Sequence, residues 1–315
     1  MPQRPLVSFV LLAYQQERFV REAVRSALAQ AYEPLEIILS DDCSPDRTFE
    51  IMEEETEAYR GPHEVILHRN ETNRGLAENL NNAWGLAHGE FIVVQGGDDI
   101  SLPQRTQVLV ETWRQPPQVD CVYSDVARID GRGVVTVPLV LGSAPKLSPG
   151  SLEGVVRSRW CAVWGCSAGY SRSLLLTYGG LHPAVRAEDR VLSFWALLSR
   201  GIRYCEQVLV KYRTHENNLF AGTTVDCRRS RHKARQWAIS EAVTAAEWVR
   251  AWDMSGPPRD DLREMLVSIE RQRRYEALAY DVLRRKVPSL AIQGLAEGLS
   301  LRNAAGLVKR HFLRI

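Results

Sequence analysis

Short apolar runs rich in β-branched residues recur through the first half of the chain, at residues 7–12, 35–39, 64–67, 91–94 and 121–123. Between them the apolar residues switch to helical spacing, as in Phe19, Val20, Ala23, Val24, Ala27 and Leu28. Strands that are apolar on both faces need cover on both faces, and intervening helices supply it. The alternation predicts an α/β fold built on a mostly parallel sheet flanked by helices. Two helix starts carry chemical marks. Ser44-Pro45 offers a capping hydroxyl, then a proline whose missing N–H costs nothing in a first turn. Pro103 is expected to play the same part after the fourth strand. The first run, within MPQRPLVSFVLLAYQQE, is too short to span a membrane and lacks a small-residue cleavage site, so it reads as the first strand.

Past residue 132 the pattern changes. A Gly/Ser/Pro-rich connection (142–150) leads into SRWCAVWGCSAGY, a helix-like RVLSFWALLSR and a last strand candidate at 204–212. Beyond Asp226 the chain reads as helical and basic, through RRSRHKARQW and RQRRYEALAYDVLRRK. The expected division is an α/β domain over 1–222 and a helical region over 223–315. With 315 residues, 45% apolar and 25% charged, the chain can bury a large core without staples. A net charge of +2 favours neither nucleic acid nor a strongly acidic partner. The late arginines alternate with acids such as Glu241, Glu247, Asp260, Asp261 and Glu264, which suits a solvated helical face. Six cysteines (Cys43, Cys121, Cys161, Cys166, Cys205, Cys227) form no C-x-x-C pair, which argues against zinc and disulfide frameworks and for a reducing cytoplasm. The terminal stretch from Ser289 is amphipathic, with Arg302, Lys309, Arg310 and Arg314 near its end. Such a helix suits an anionic membrane surface at the inner face of the cell membrane, the α/β domain, or a second subunit in a homodimer.

In a parallel sheet all strands end at one edge, where ligands collect. Acids gather at those predicted ends: Asp41-Asp42 after LEIILS, Asp98-Asp99 in QGGDDI after FIVV, and Asp125 after CVYS. Converging carboxylates repel unless a cation or hydrogen-bond donors share the site. Mg²⁺ or Mn²⁺ with a substrate phosphate is the usual partner, since such hard cations take oxygen ligands. Gly96 and Gly97 are expected to let a bulky ligand approach the backbone. No G-x-G-x-x-G follows the first strand, and neither a P-loop nor a G-x-S-x-G elbow occurs.

The stretches VSFVLLAYQQERFVREAVRSALAQAYEPLEIILSDDCSPDRT and RNETNRGLAENLNNAWGLAHGEFIVVQGGDDISLPQR resemble family 2 glycosyltransferases of the GT-A fold, over roughly residues 5–220. The resemblance implies a Rossmann-like sheet that binds a nucleotide sugar, with a C-terminal helical extension added to it. It places Ala13, Tyr14, Glu17 and Asp42 around a uracil or thymine ring. Arg74, Gly75, Asn81 and Gly97 fall in the nucleotide-binding stretches, and Asp98 and Asp99 would hold ribose and the metal-bound diphosphate. Two departures stand out. The family's D-S-D-D aligns with Gly96-Gly97-Asp98-Asp99, so the first acid is missing. Leu80 occupies the arginine position of G-x-x-x-A-R-N-x-G, which throws a diphosphate or base contact onto Arg74 or Arg105. Leu12 likewise stands where relatives often carry a small polar residue.

The same resemblance assigns Asp189, in VRAEDRVLSFW, as the base, with Glu188 as acceptor contact or orienter. From residue type alone, an acid in a first helical turn is also explained by the helix dipole. WGCSAGYSRSLL resembles the segment beneath donor sugar and acceptor, so Trp164 and Gly165 belong to the sugar site, while Trp160 fits the core equally well. His215 in YRTHENN resembles a histidine that reaches the diphosphate or metal. The implied reaction moves a sugar with inversion from a UDP- or dTDP-sugar to a hydroxyl of a glycan or lipid-linked glycan, using Mn²⁺ or Mg²⁺. The alternatives are a non-catalytic nucleotide-sugar-binding or scaffold subunit, and a sugar-phosphate nucleotidyltransferase. The second lacks its glycine-rich basic loop, because AYQQERF stands at that position.

Overall fold

The computed structural model describes residues 4–140, 152–158, 163–216, 218 and 231–285. Four β/α units open the chain: β1 (Val7–Ala13) and α1 (Val20–Leu28), β2 (Leu35–Asp41) and α2 (Thr48–Ala58), β3 (Glu64–Arg69) and α3 (Leu76–Gly85), then β4 (Phe91–Gly96), the two-residue β5 (Ile100–Ser101) and α4 (Arg105–Trp113). There follow β6 (Cys121–Ile129), β7 (Val135–Val137), α5 (Leu152–Ser158), β8 (Ala168–Ser171), α6 (Arg172–Tyr178), α7 (Glu188–Leu198) and β9 (Ile202–Arg213). Two long helices come last, α8 (Arg231–Ser255) and α9 (Asp260–Arg285). The expected boundary at 222/223, Trp160 and the stretch from Ser289 lie outside the described residues.

The strands form one sheet in the order β3-β2-β1-β4-β8-β6-β9-β5, with β7 beside β6. β1, β2, β3 and β4 are mutually parallel, and β6 is parallel to β9, whereas β8 runs antiparallel to both β4 and β6. Alternate β1 side chains feed two cores, as the two-residue period requires. Phe9 and Leu11 pack with α1, α2 and α4, while Val10 and Leu12 join α3, α6 and α7. The second core continues into α8 and α9 through Trp248, Ala251, Trp252, Leu262 and Leu266, so the long helices share the sheet's interior. Among the described residues no helix is long and apolar enough to cross a membrane.

Three expectations need correction. Ser44 precedes α2 rather than capping it; its hydroxyl donates to Asp41 and accepts from Gln15 N at 2.9 Å. Asp46 accepts from Thr48 N instead, at 3.1 Å. Pro103 lies in the turn ahead of α4, where Arg105 N donates to Leu102 O at 3.0 Å. Asp125 is inside the sheet, not at its edge, because β6 continues past it to Ile129. Its carboxylate accepts from Val126 N at 2.7 Å and from Tyr204 OH at 2.6 Å, which satisfies a buried charge locally.

Candidate active site

The C-terminal ends of β1, β2 and β4 meet at one edge. Asp42 N donates to Ala13 O at 2.9 Å, and Gly97 N donates to Leu12 O at 2.8 Å, so the end of β1 separates the two acid pairs. Both turns carry strain: Gln15 and Cys43 adopt φ of 54° and 58°, a region side chains seldom occupy outside functional turns. Asp42 is buried, and its carboxylate is fully engaged. Oδ1 accepts from Asn70 Nδ2 and Arg74 N, both at 2.8 Å, and Oδ2 accepts from Gly75 N at 2.7 Å. One side chain thus fixes the loop that carries two further predicted residues. Tyr14 stands half-exposed at the rim, and Glu17 accepts from Arg47 N at 3.1 Å. Asn81 lies away from this group. Its amide donates to Leu181 O at 2.8 Å and accepts from Leu181 N at 2.9 Å, anchoring the segment that leads into α7.

At the end of β4 the need for glycine is internal. A Cβ on Gly97 would stand 2.3 Å from Gln16 Oε1 and 2.9 Å from the Ala13 Cβ, so the end of β1 and the turn after it fill that space. Asp98 Oδ2 lies 3.0 Å from His215 Nε2 and accepts from Asn218 Nδ2 at 3.2 Å. Asp99 is 2% exposed, and its Oδ1 accepts from Arg213 N at 2.9 Å. Burial, and then the neighbouring Asp98 charge, push the Asp99 carboxyl well above the usual range. Two buried arginines brace the loop. Arg213 donates from Nε to Asp98 O at 2.9 Å, bonds Glu22 on α1, and lies over the Phe19 ring. Arg105, wholly buried, donates to Val94 O at 2.7 Å and Ser101 Oγ at 2.8 Å, and burial lowers it to about 10. Its side chain is spent on β4, β5 and β8 rather than on the cleft surface.

The second acid pair opens α7. Glu188 and Asp189 keep part of their surface open, yet burial raises both carboxyls, Glu188 to about 8 with Asp189 as the next cause. Asp189 Oδ2 accepts from Gly165 N at 3.3 Å, whereas Glu188 Oε2 is enclosed without a partner. Gly165 allows this approach, since a Cβ there would stand 2.5 Å from Glu188 Oε1. Trp164 meets Tyr212 edge-on, with ring centroids 5.2 Å apart. Burial raises the Cys166 thiol, followed by Asp99, and then Asp98 and Asp189 against the opposing Arg105, so members of both acid pairs act on one thiol. That thiol and Tyr212, also raised by burial, Cys166, Asp99 and Asp98, had no signal in the sequence because their role is purely positional. Arg213 and Asn218 flank the predicted His215, and their part in holding the acid loop emerges only in three dimensions.

Among the described residues no three His, Cys, Asp or Glu side chains converge as a protein-only metal site. What does converge is an oxygen donor, Asp98, and a nitrogen donor, His215, beside the charge-crowded Asp99. That donor set suits a hard cation that completes its shell with phosphate and water.

A family profile described as Glycosyl transferase family 2 matches residues 8–178. Chondroitin synthase of Escherichia coli is 30% identical over 129 residues, which are 41% of this chain and 18% of that protein. The chain spans between 18% and 63% of the length of three curated relatives. In fold it is similar to S. aureus TarS 1–349 in complex with UDP-GlcNAc, with a TM-score of 0.55 at 18% identity, over 85% of this chain and 80% of that one. It is also similar to the mannosyltransferase PcManGT from Pyrobaculum calidifontis in complex with GDP-Man and Mn²⁺, with a TM-score of 0.57 at 18% identity, over 99% of this chain and 81% of that one.

Proposed function

The chain belongs to glycosyl transferase family 2, and from that premise we propose that it moves a sugar, with inversion, from a nucleoside-diphosphate sugar to a hydroxyl of a glycan or lipid-linked glycan. The observation that supports this reading is that the Asp98-Asp99 pair and Asp189, from two separate elements, all act electrostatically on the Cys166 thiol. In the proposed step the acceptor oxygen bonds to the anomeric carbon as the bond to the diphosphate oxygen breaks. The diphosphate leaves with the electron pair, and the acceptor's proton passes to Asp189. Burial raises the Asp189 carboxyl toward the pH at which a base works best, and the Gly165 N–H fixes its orientation. Inversion follows from a base on the face opposite the leaving group, the arrangement of an inverting glycosidase with an alcohol in place of water.

Tyr14, Glu17 and Asp42 are proposed to frame the nucleobase, with the Arg74–Gly75 main chain held by Asp42. A UDP- or dTDP-sugar is the proposed donor, and the solved neighbours with UDP-GlcNAc and GDP-Man support a nucleotide sugar in general. Asp98 and Asp99, with His215, would hold Mn²⁺ or Mg²⁺, which would neutralise charge growing on the departing diphosphate. Trp164 offers a ring to the apolar face of a sugar. The glycan acceptor is supported by the name of the chondroitin synthase relative. The test is nucleotide release from UDP-, dTDP- and GDP-sugars with glycan acceptors, by wild type and Asp189→Asn. The expected result is turnover in wild type that falls roughly 10²–10⁴-fold in the variant, the range of a lost general base, with nucleotide affinity kept. Equal turnover by both proteins would remove Asp189 as base.

A further inference from the structure

Arg128 enters no role described so far. It lies on β6, in register with Tyr212 on the parallel strand β9. Paired residues on neighbouring strands project to the same face of a sheet, so Arg128 shares the face of Tyr212. On that face Tyr212 packs against Trp164 and feels Cys166, Asp99 and Asp98, the side of the sheet that carries the candidate site. Arg213, the next residue along β9, points to the opposite side, against Phe19 just ahead of α1. Arg128 Nε is closed off from solvent with no hydrogen-bond partner, and among the described residues its guanidinium forms no ion pair. Two residues beyond Tyr212, the Thr214 hydroxyl is likewise enclosed and unpartnered, while its main-chain N donates to Ile129 O at 2.8 Å. Buried donors left unmade cost stability, and a partly buried cation without an anion costs more. Arg105 shares an unpartnered Nε, but both of its terminal nitrogens are engaged by Ser101, Val94 and Ala168, and Arg213 is held by Asp98 O and Glu22, whereas Arg128 has neither kind of partner among the described residues.

We propose that Arg128 and Thr214 form an anion-binding subsite on the face of the sheet that carries Tyr212, which receives a phosphate or carboxylate of a bound substrate. The inference rests on the transferase reading for the identity of that substrate. A guanidinium matches two oxygens of one oxyanion side by side, and a hydroxyl beside it adds a third donor. Two sources carry such a group: the diphosphate of the donor, and an acidic sugar or phosphate in the acceptor.

Calorimetry on the full chain, with metal removed by chelation, separates the possibilities with pyrophosphate, UDP and glucuronate as probes. In Arg128→Gln the affinity for pyrophosphate or for glucuronate is expected to fall tenfold or more, and Arg128→Lys is expected to recover part of the loss. Thr214→Val is expected to weaken the same probe by a smaller factor. The melting temperature of unliganded Arg128→Gln is expected to equal or exceed that of wild type, because an unpaired, partly buried charge has been removed. A matching loss for UDP assigns the subsite to the donor diphosphate, and an unchanged UDP affinity with loss of glucuronate assigns it to an acidic acceptor. Unaltered affinity for all three probes, or a lowered melting temperature as the sole change, overturns the proposal. The transferase reading fails separately: a wild type that binds these anions through Arg128 yet turns over no sugar donor would sink transfer and leave the subsite standing.

Discussion

At the scale of single residues, the site is governed by how carboxylates share a confined space. Glu188 holds its proton to about pH 8, first because burial disfavours its charge and then because Asp189 is its neighbour. A carboxyl with a raised folded-state pKa binds its proton more tightly in the folded protein than in the unfolded chain. Its stabilising contribution is therefore complete below the ordinary carboxyl pKa and is lost as pH rises toward 8. Thermal melts of wild type are expected to decline across that window, and Glu188→Gln should flatten the decline; a decline of equal size in the variant would place its origin elsewhere. The sequence named Asp98-Asp99 because acids after an apolar run are local information, and it named Glu188-Asp189 only through the family resemblance. Of their companions it offered His215 and Gly165 through the resemblance, but not Arg213, Asn218 or Cys166. The contact of His215 with Asp98 spans more than a hundred positions, and nothing near Cys166 marked it as a thiol on which Asp98, Asp99 and Asp189 all act.

At the scale of elements, α8 holds the helix that carries the proposed base. Arg190 on α7 pairs with Glu241 on α8, which also lies 3.4 Å from Arg273 on α9. Trp248 Nε1 donates to Arg190 O at 3.2 Å, and Arg186 N donates to Ser240 Oγ at 2.9 Å. Arg190 lowers the Asp189 carboxyl, opposing burial, and Glu188 and Cys166 are the other titratable groups facing it. Removing the Glu241 charge leaves Arg190 acting more strongly on Asp189, so Asp189 should ionise at lower pH. In Glu241→Gln the acidic limb of the kcat profile is expected to move down by on the order of 0.5 pH unit, equivalent to about 0.7 kcal/mol. Glu241→Asp should restore the limb. An unmoved limb with reduced stability would make the pair a packing contact alone. The helices themselves were legible from apolar spacing, as were β1 to β4 from their β-branched runs. β8 was not: AGYS is four residues with a glycine, too short to display a two-residue period, and it gains its strand character by pairing with β4 and β6. Asp125 was misplaced for the opposite reason, since the irregular register around it hides the continuation of β6.

At the scale of the whole molecule, the long helices and the sheet fold around shared apolar contents. Trp248 is buried and stacks on Phe194 at 4.8 Å, in the same core as Val10 and Val94 of the central strands. Trp248→Ala is expected to cost roughly 3–5 kcal/mol, the range for emptying a buried aromatic site. Far-ultraviolet dichroism and tryptophan fluorescence should still report one coincident denaturation midpoint; two separated midpoints would show that α8 and α9 unfold as an independent unit. The sheet also curls, so that β5 leaves β4 after three residues and pairs with β9 at the far end of the strand order, Ile100 opposite Lys211. Those three residues behave as a ruler of invariable length. Because both of their ends are clamped in strand pairings, an extra residue inserted after Gly97 could only be absorbed by bulging the acids outward. A chain altered in this way should retain its sheet and its melting behaviour while forfeiting the His215–Asp98 junction. Here spacing, more than the identity of any side chain, is what keeps the acid pair in step with the histidine loop.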